Sequence, residues 1–215
     1  GVAPAKVVVL GGGVVGSSAI RVALGMGADV TVLDRSVSRL GELDEQYRGQ
    51  LRTVYSTAEA LEMHAREADL IIGAVLIPGA SAPKLVTAEM LADFKPGTVM
   101  VDVAIDQGGC FETSRPTTHA DPTYEVDGVV HYCVANMPGA VARTATMALT
   151  NATLPYIIRL ASNEVGSLLL EDKHFAAGLN IVHGQLTHRA VAEALGQMWT
   201  EPDQILRASL HLKSA

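Results

Sequence analysis

Residues 6–34, "KVVVLGGGVVGSSAIRVALGMGADVTVLD", decide the fold of this chain. Two runs of β-branched residues flank a glycine-rich turn and a helical pattern over residues 14–26. The second run ends in an acidic residue, Asp34. A strand, a helix and a second strand in this order form the βαβ unit of a parallel sheet.

The same alternation continues along the first two-thirds of the chain. Helical patterns at residues 36–47 and 58–67 separate further strand patterns, and the later strands are continuous apolar runs, which is typical of a sheet buried on both faces. We therefore predict an α/β fold, a doubly wound parallel sheet of the Rossmann type. Residues 107–127 are predicted to be a long irregular loop that lies across a site. The further strand patterns are "LRTVYS", "ADLIIGAV", "GTVMVDVA" and "GVVHYCVAN".

Three segments divide the chain. Residues 1–137 form the predicted sheet domain, and residues 138–162 form a long connecting helix that Pro155 is expected to kink or interrupt. Residues 163–215 hold one helical pattern, "THRAVAEALGQM", and little strand pattern. Because this last segment is too small to bury a core of its own, we expect an incomplete second domain and a chain cut from a larger protein.

Composition excludes several classes of function. A formal net charge of −7 argues against binding to a phosphate backbone, and an aromatic content of 4% argues against base stacking. No apolar run reaches the length of a membrane helix, so we expect a cytoplasmic protein. The two cysteines, Cys110 and Cys133, are too few for a disulfide framework and lack the spacing of a zinc site, so we expect reduced packing residues and no metal. A small molecule is the expected partner.

The glycine-rich turn has the spacing of a dinucleotide site. Gly11, Gly13 and Gly16 give GxGxxG directly after a strand and at the start of a helix, and such a turn holds a pyrophosphate at the helix N-terminus. Asp34 is placed to accept hydrogen bonds from a ribose diol and to repel a 2′-phosphate, which predicts NAD rather than NADP. Arg35 leaves that choice open, since an adjacent arginine is either exposed to solvent or a phosphate ligand. A Rossmann-like domain without a cofactor is the alternative.

Three stretches resemble the alanine dehydrogenase family, in order along the chain: "IIGAVLIPGASAPKLVT", "VDVAIDQGGCFETSRPTTHADPTY" and "HYCVANMPGAV". The resemblance implies a Rossmann domain inserted into a substrate domain, of which this chain lacks the N-terminal part. It implies the reversible reaction of L-alanine, water and NAD to pyruvate, ammonium and NADH. It also implies a homo-oligomer, which is a hexamer in the family.

The resemblance assigns roles to individual residues. Asp106 matches a catalytic acid/base beside the nicotinamide, and we expect partial burial to raise its pKa. The family's arginine, lysine and histidine that act on the substrate belong to the missing N-terminal part. The remaining matches are cofactor contacts: Gly11, Gly13, Gly16 and Asp34 at the pyrophosphate and ribose, Ser56, Val75 and Leu76 at the adenosine, Val103 under the cofactor, and Val134, Asn136 and Met137 at the nicotinamide.

Two further polar residues are expected to be structural. Asp102 precedes Asp106 in the same predicted strand, and it is expected to accept hydrogen bonds within the domain because a buried unpaired carboxylate is costly. His131 lies in a strand near the nicotinamide segment, and we expect a packed histidine rather than a replacement for the missing acid/base.

Two alternative functions remain at this level. One is the soluble NAD(H)-binding component of a proton-translocating transhydrogenase, which shares the architecture. The other is a catalytically silent NAD-binding domain. If the chain is part of an alanine dehydrogenase, or if it is a silent NAD-binding domain, we expect the fragment alone to bind NAD without turnover.

Overall fold

The computed structural model describes residues 1–77 and 82–213, with side chains as far as residue 208. The described residues divide into two compact units, one that ends at Met137 and one that begins at Pro138.

The first unit is built on one seven-stranded sheet with the strand order β3-β2-β1-β4-β5-β7-β6. All neighbouring strands pair in parallel except β6, which is antiparallel to β7 at the edge. The predicted α/β fold with a Rossmann-type sheet is therefore confirmed. The strands are β1 (Lys6–Leu10), β2 (Asp29–Asp34), β3 (Leu51–Tyr55), β4 (Leu70–Gly73), β5 (Val99–Asp102), β6 (Thr123–Val126) and β7 (Val129–Tyr132).

Helices bury both faces of this sheet. The crossovers are α1 (Val14–Gly25), α2 (Val37–Tyr47) and α3 (Ala58–Arg66). Alternate residues of β1 point to opposite faces, so Val7 and Val9 pack with α1 and α2 while Val8 and Leu10 pack with α3. All four of these side chains are buried, which explains why residues 7–10 of the strand are all apolar.

The predicted irregular loop over residues 107–127 is confirmed for residues 108–122, which form no helix or strand, but not for the end of the segment. Its last part forms β6, which joins β7 through a tight turn at Asp127 and Gly128 with φ of 51° and 79°. Such left-handed Asp-Gly turns match the twist of a hairpin, and the "DG" pair was the local signal for it. The earlier part of the segment is tied to the rest of the unit by two isolated β-bridges, Val86 with Phe111 and Thr117 with Val134.

The prediction that Asp102 and Asp106 share one strand is also wrong. Strand β5 ends at Asp102, and Asp106 lies in a short 3-10 turn, Ile105–Gln107. The chain leaves the strand there because the Asp102 carboxylate accepts a hydrogen bond from the Ala104 N–H at 3.1 Å, which bends the backbone back on itself.

The second unit begins with a 21-residue helix, α4 (Ala142–Ser162), none of whose residues is buried. The helix continues through Pro155, so the expected interruption is wrong. Proline removes the N–H that would bond the Asn151 carbonyl, and because Asn151 is exposed, water can replace that donor.

The rest of the second unit consists of short helices and one two-stranded hairpin. The pattern "THRAVAEALGQM" forms only one short helix, and a small hairpin with left-handed residues His183 and Gly184 at its turn was not predicted. No helix in the described part of the chain is long and apolar enough to cross a membrane. The elements are α5 (Val165–Glu171), α6 (Lys173–Ala176), β8 (Ile181–Val182), β9 (Gln185–Leu186), α7 (Arg189–Ala194) and α8 (Pro202–Lys213).

Candidate active site

A cleft of about 550 Å³ opens at the carboxyl ends of β1, β2, β3 and β4. In doubly wound sheets this edge is where ligands bind, because the strand order reverses beside β1. The cleft brings together six of the residues that the sequence assigned to a cofactor: Gly11, Gly13, Asp34, Ser56, Val75 and Leu76.

The three motif glycines have three different geometric roles. Gly11 has a φ of +96°, and a Cβ there would lie 2.9 Å from the Ala74 carbonyl oxygen. A Cβ on Gly16 would overlap the Gly11 carbonyl oxygen, so this glycine allows α1 to approach β1. Gly13 meets nothing within 4 Å and lines the cleft, so its bare Cα faces open space. The arrangement fits a turn that a pyrophosphate approaches closely.

The N-terminus of α1 is free to bind an anion. Its N-cap is Gly13, and no side chain of the described residues caps it by a hydrogen bond. The first N–H groups of a helix have no partner within the helix and carry partial positive charge. Together with the open space at Gly13, these donors fit a phosphate group.

Asp34 is held by the backbone on the cleft wall. Its Oδ2 accepts from the Gly12 N–H at 2.7 Å, and its Oδ1 accepts from the Ser36 N–H at 2.8 Å. A carboxylate has about four lone-pair sites, so two bonds leave acceptor capacity on this half-buried side chain. A ribose diol matches that capacity, and the negative charge disfavours a phosphate.

Arg39 supports the glycine-rich turn from behind, which the sequence reasoning missed. Its Nε donates to the Gly12 carbonyl at 2.7 Å, and its Nη2 donates to the Ser17 Oγ at 2.7 Å. Ser17 Oγ in turn donates to the Gly13 carbonyl at 2.7 Å. Because the C=O and N–H of one trans peptide point in opposite directions, holding the Gly12 carbonyl fixes the direction of the Gly13 N–H. In the sequence, only the position of Arg39 in the first turn of α2, shortly after Asp34, could have indicated this role.

The residues assigned to the nicotinamide end do not line this cleft. Val103 and Asp106 follow β5, and Val134, Asn136 and Met137 follow β7. Both strands run parallel to β4, so these residues lie at the same edge of the sheet as the cleft. Asp106 is exposed rather than partly buried as expected.

The segment after β7 is fixed by neighbouring backbone. Asn136 has a left-handed φ of 59°, and its carbonyl lies 3.0 Å from the Nε2 of His119. Val134 is buried and bridges to Thr117. This segment therefore has a defined conformation beside the end of β5.

Asp102 is a fully buried carboxylate with four strong donors. Its Oδ1 accepts from Ala104 N–H, and its Oδ2 accepts from Cys110 N–H at 2.9 Å, Phe111 N–H at 3.3 Å and Ser114 Oγ at 2.5 Å. The expected hydrogen bonding within the domain is confirmed. These bonds wrap the chain from residue 104 to residue 114 around one side chain.

The cysteines and the strand histidine are packing residues, as the sequence predicted. Cys110 and Cys133 are buried and reduced. Burial, and then the negative charge of Asp102, raise the pKa of the Cys110 thiol, which disfavours the reactive thiolate. His131 is buried, with Nε2 2.7 Å from Thr113 Oγ1, and burial lowers its pKa. No group of three or more potential metal ligands occurs in the part of the chain that the structure describes.

Comparison with known proteins gives one consistent family. The family model described as "Alanine dehydrogenase/PNT, C-terminal domain" matches residues 1–189. The alanine dehydrogenase of Halomonas elongata is 66% identical over 206 residues, and that of Mycolicibacterium smegmatis is 52% identical over 206 residues. Each match covers 96% of this chain and 56% of the relative, so the chain spans about half the length of the relatives it matches.

Two solved structures with this fold differ in how similar they are to the chain. An L-alanine dehydrogenase superimposes with a TM-score of 0.81 at 50% identity, covering 91% of this chain and 54% of that chain. A transhydrogenase from Sinorhizobium meliloti gives a TM-score of 0.68 at 29% identity, covering 87% of this chain and 51% of that chain. The first likeness is the closer of the two in both sequence and shape.

Proposed function

The chain belongs to the alanine dehydrogenase/PNT C-terminal domain family, and from that premise we propose that it is the NAD-binding portion of an alanine dehydrogenase. The proposed reaction is the reversible oxidative deamination of L-alanine to pyruvate and ammonium. The observation that carries the proposal is the pairing of an uncapped helix N-terminus with Asp34 across one cleft. Identity of 66% to an alanine dehydrogenase supports the choice of reaction.

The proposed cofactor is NAD. Gly11, Gly13 and the N-terminus of α1 would hold the pyrophosphate, and Asp34 would hold the ribose of the adenosine half. Arg35 also lines the cleft and is exposed, so a 2′-phosphate would meet both its positive charge and the negative charge of Asp34. We expect Asp34 to decide the choice, because two backbone donors fix its carboxylate on the cleft wall, whereas Arg35 is exposed.

The remaining cofactor contacts are proposed by position. Ser56, Val75 and Leu76 line the cleft and would contact the adenosine. Farther along the same sheet edge, the residues after β5 and β7 would contact the nicotinamide half of the cofactor. Val103, after β5, would pack against the cofactor. The others at that end are Val134, Asn136 and Met137.

Asp106 is the proposed catalytic acid/base. NAD, when bound, supplies a hydride acceptor for the substrate Cα. An exposed carboxylate at the sheet edge can take a proton from the attacking water and return one to the departing amine, which is general acid–base catalysis. The chain spans about half the length of its relatives. We therefore propose that the arginine, lysine and histidine that the family uses on the substrate lie outside the 215 residues, and that the chain alone binds NAD without turnover.

The proposed organisation follows from this reading. Residues 1–137 would be the NAD-binding domain, residues 138–162 a connecting helix, and residues 163–215 part of the substrate domain. The whole protein is proposed to be a cytoplasmic homo-oligomer that acts on L-alanine, pyruvate and ammonium.

Activity is tested on the chain extended to the relatives' full length, called the extended protein below. With L-alanine and NAD it is expected to form NADH, followed at 340 nm. Asp106→Asn is expected to abolish turnover while NADH affinity stays within about twofold of wild type. Loss of NADH binding in that variant would instead make Asp106 a structural residue.

The alternative is the nucleotide-binding component of a transhydrogenase, which the 29% identity and lower TM-score support less well. It predicts hydride exchange between two nucleotides and no NADH from alanine. A silent NAD-binding domain predicts binding with no turnover even in the extended protein.

A further inference from the structure

The loop after β5, residues 103–114, lies between two opposite charges that do not contact each other. Asp102 accepts from its N–H groups on one side, as described above. On the other side the Lys84 ammonium donates to the carbonyl oxygens of Gly108 at 2.5 Å, Gly109 at 2.9 Å and Phe111 at 3.1 Å. An ammonium has three donors, so these carbonyls use all of them. We refer to Lys84, Asp102 and the loop together as the β5-loop frame.

One peptide of the loop connects the two charges directly. The Gly109 carbonyl accepts from Lys84, and the N–H of Cys110 in the same peptide donates to Asp102 at 2.9 Å. Because C=O and N–H point in opposite directions in a trans peptide, the ammonium and the carboxylate lie at the two ends of the peptide dipole. Both hydrogen bonds are charge-assisted and hold that peptide more strongly than neutral bonds would.

The backbone is shaped for this arrangement. Gly108 and Gly109 have φ of +89° and +74°, which side chains rarely tolerate. A Cβ on Gly109 would lie 2.6 Å from the Asp102 Oδ2. Two consecutive left-handed glycines therefore let the chain close around the carboxylate immediately after Asp106.

Lys84 also belongs to a segment that forms the wall of the cleft. Its neighbours Pro83 and Leu85 line the cleft. The N–H of Ala82 donates to the Gln107 carbonyl at 2.9 Å, and the N–H of Leu85 donates to the Cys110 carbonyl at 2.7 Å. The cleft wall and the turn that carries Asp106 are thus bonded to each other on both sides of Lys84.

We propose that Lys84 and Asp102 are positioning residues for Asp106, holding its turn at a fixed place relative to the cofactor cleft. The inference rests on the proposed function, since positioning has meaning only if Asp106 is catalytic. Neither residue donates or accepts the reacting proton. Lys84 is the more informative of the two, because its side chain is exposed and its removal leaves no buried charge unpaired, whereas Asp102 is fully buried.

The test compares lysine variants of the extended protein. Lys84→Met keeps the aliphatic stem and removes the charge, and we expect kcat to fall about tenfold while KM for NAD stays within about twofold, because small misplacements of a catalytic group are costly. Lys84→Arg restores a cationic donor and is expected to recover at least a third of wild-type kcat. Lys95→Met is the matched control, since Lys95 also donates to a backbone carbonyl and a carboxylate, those of Glu67 and Asp69, but away from this loop. It is expected to leave kcat unchanged.

A second measurement tests the frame without any turnover. In the 215-residue chain, Lys84→Met is expected to speed amide hydrogen exchange of Cys110 and Phe111 at least about tenfold, with the amides of β1 unchanged. Unchanged exchange together with unchanged kcat would overturn the inference. If the wild-type extended protein makes no NADH from alanine, the proposed function is overturned, and with it the catalytic role of the β5-loop frame. The exchange result would still decide whether Lys84 holds the loop.

Discussion

Asp34 and Asp102 occupy equivalent places in the molecule and differ in what surrounds them. Each ends a parallel strand at the same edge of the sheet, and each accepts hydrogen bonds from backbone N–H groups. Asp34 has two such bonds and is half-buried on a cleft wall, whereas Asp102 is fully buried with three N–H donors and a hydroxyl.

The difference indicates how one type of residue could either bind a ligand or organise the fold. A carboxylate with unused acceptor sites facing a cleft can bind an incoming diol, while a saturated buried carboxylate can only organise the chain around it. Position at a strand end does not separate these two roles. Burial and the number of donors do.

The largest expected effect is on the stability that Asp102 provides. Asp102→Asn places an amide NH₂ against buried donors, and we expect the free energy of unfolding to fall by about 3 kcal/mol, because hydrogen bonds to a charged group are lost and donors stay unpaired. Asp106→Asn is the same change at an exposed site four residues later and should cost less than about 0.5 kcal/mol. Urea unfolding of the 215-residue chain, followed by circular dichroism, measures both. Equal losses would mean that burial does not distinguish these carboxylates.

The next effect concerns the turn that Asp34 faces. Gly16→Ala places a Cβ against the Gly11 carbonyl, so we expect a loss of about 2 kcal/mol from overpacking, together with loss of NADH binding. Gly25→Ala lies in the same helix where nothing is within 4 Å, and it should be neutral or stabilising by up to about 1 kcal/mol. The same unfolding measurement applies. A neutral Gly16→Ala would show that α1 can move away from β1.

A smaller effect is expected on cofactor choice. Asp34→Asn keeps an acceptor but removes the charge, so NADH affinity should fall about tenfold, or about 1.4 kcal/mol, and NADPH affinity should stay the same or rise. Calorimetric titration of the chain measures both affinities, with Asp44→Asn on the exposed part of α2 as the control. An equal loss of affinity for NADH and NADPH would mean that Asp34 supports the glycine-rich turn through the Gly12 N–H and does not distinguish the two nucleotides.

The smallest effect is on pH dependence. Burial lowers the pKa of His131 below its usual value, so the unfolded chain binds more protons than the folded chain as pH falls. The stability contributed by the neutral ring is full above about pH 6.5, the ordinary value, and is lost as pH falls through the lowered pKa. Unfolding between pH 7.5 and 5 should show this loss in wild type and a flatter profile in His131→Gln. Identical slopes would contradict a buried neutral histidine.

Local patterns predicted the first half of the sheet. The glycine spacing and the β-branched runs are set by neighbouring residues, so strands β1–β4, helices α1–α3 and the cleft residues Gly11, Gly13 and Asp34 follow from short stretches. The other three cleft residues, Ser56, Val75 and Leu76, were assigned by the family resemblance. The Asp-Gly hairpin before β7 was also local and was overlooked because its strand lies in a polar segment.

Contacts between distant residues account for what the sequence did not predict. Arg39 reaches Gly12 across 27 residues, and Lys84 reaches the loop of Asp106 across 24 to 27 residues. Neither side chain differs in type or spacing from an ordinary surface cation, so no pattern marks it. The exposure of Asp106 likewise depends on what packs over its turn, which a strand pattern does not contain.

The most direct measurement is calorimetric titration of the 215-residue chain with NADH and with NADPH in parallel. An NAD-binding portion of an alanine dehydrogenase should bind one NADH per chain and bind NADPH at least about tenfold more weakly, since the Asp34 carboxylate repels the 2′-phosphate. No heat with either nucleotide, or equal affinity for both, would contradict an NAD site in this cleft.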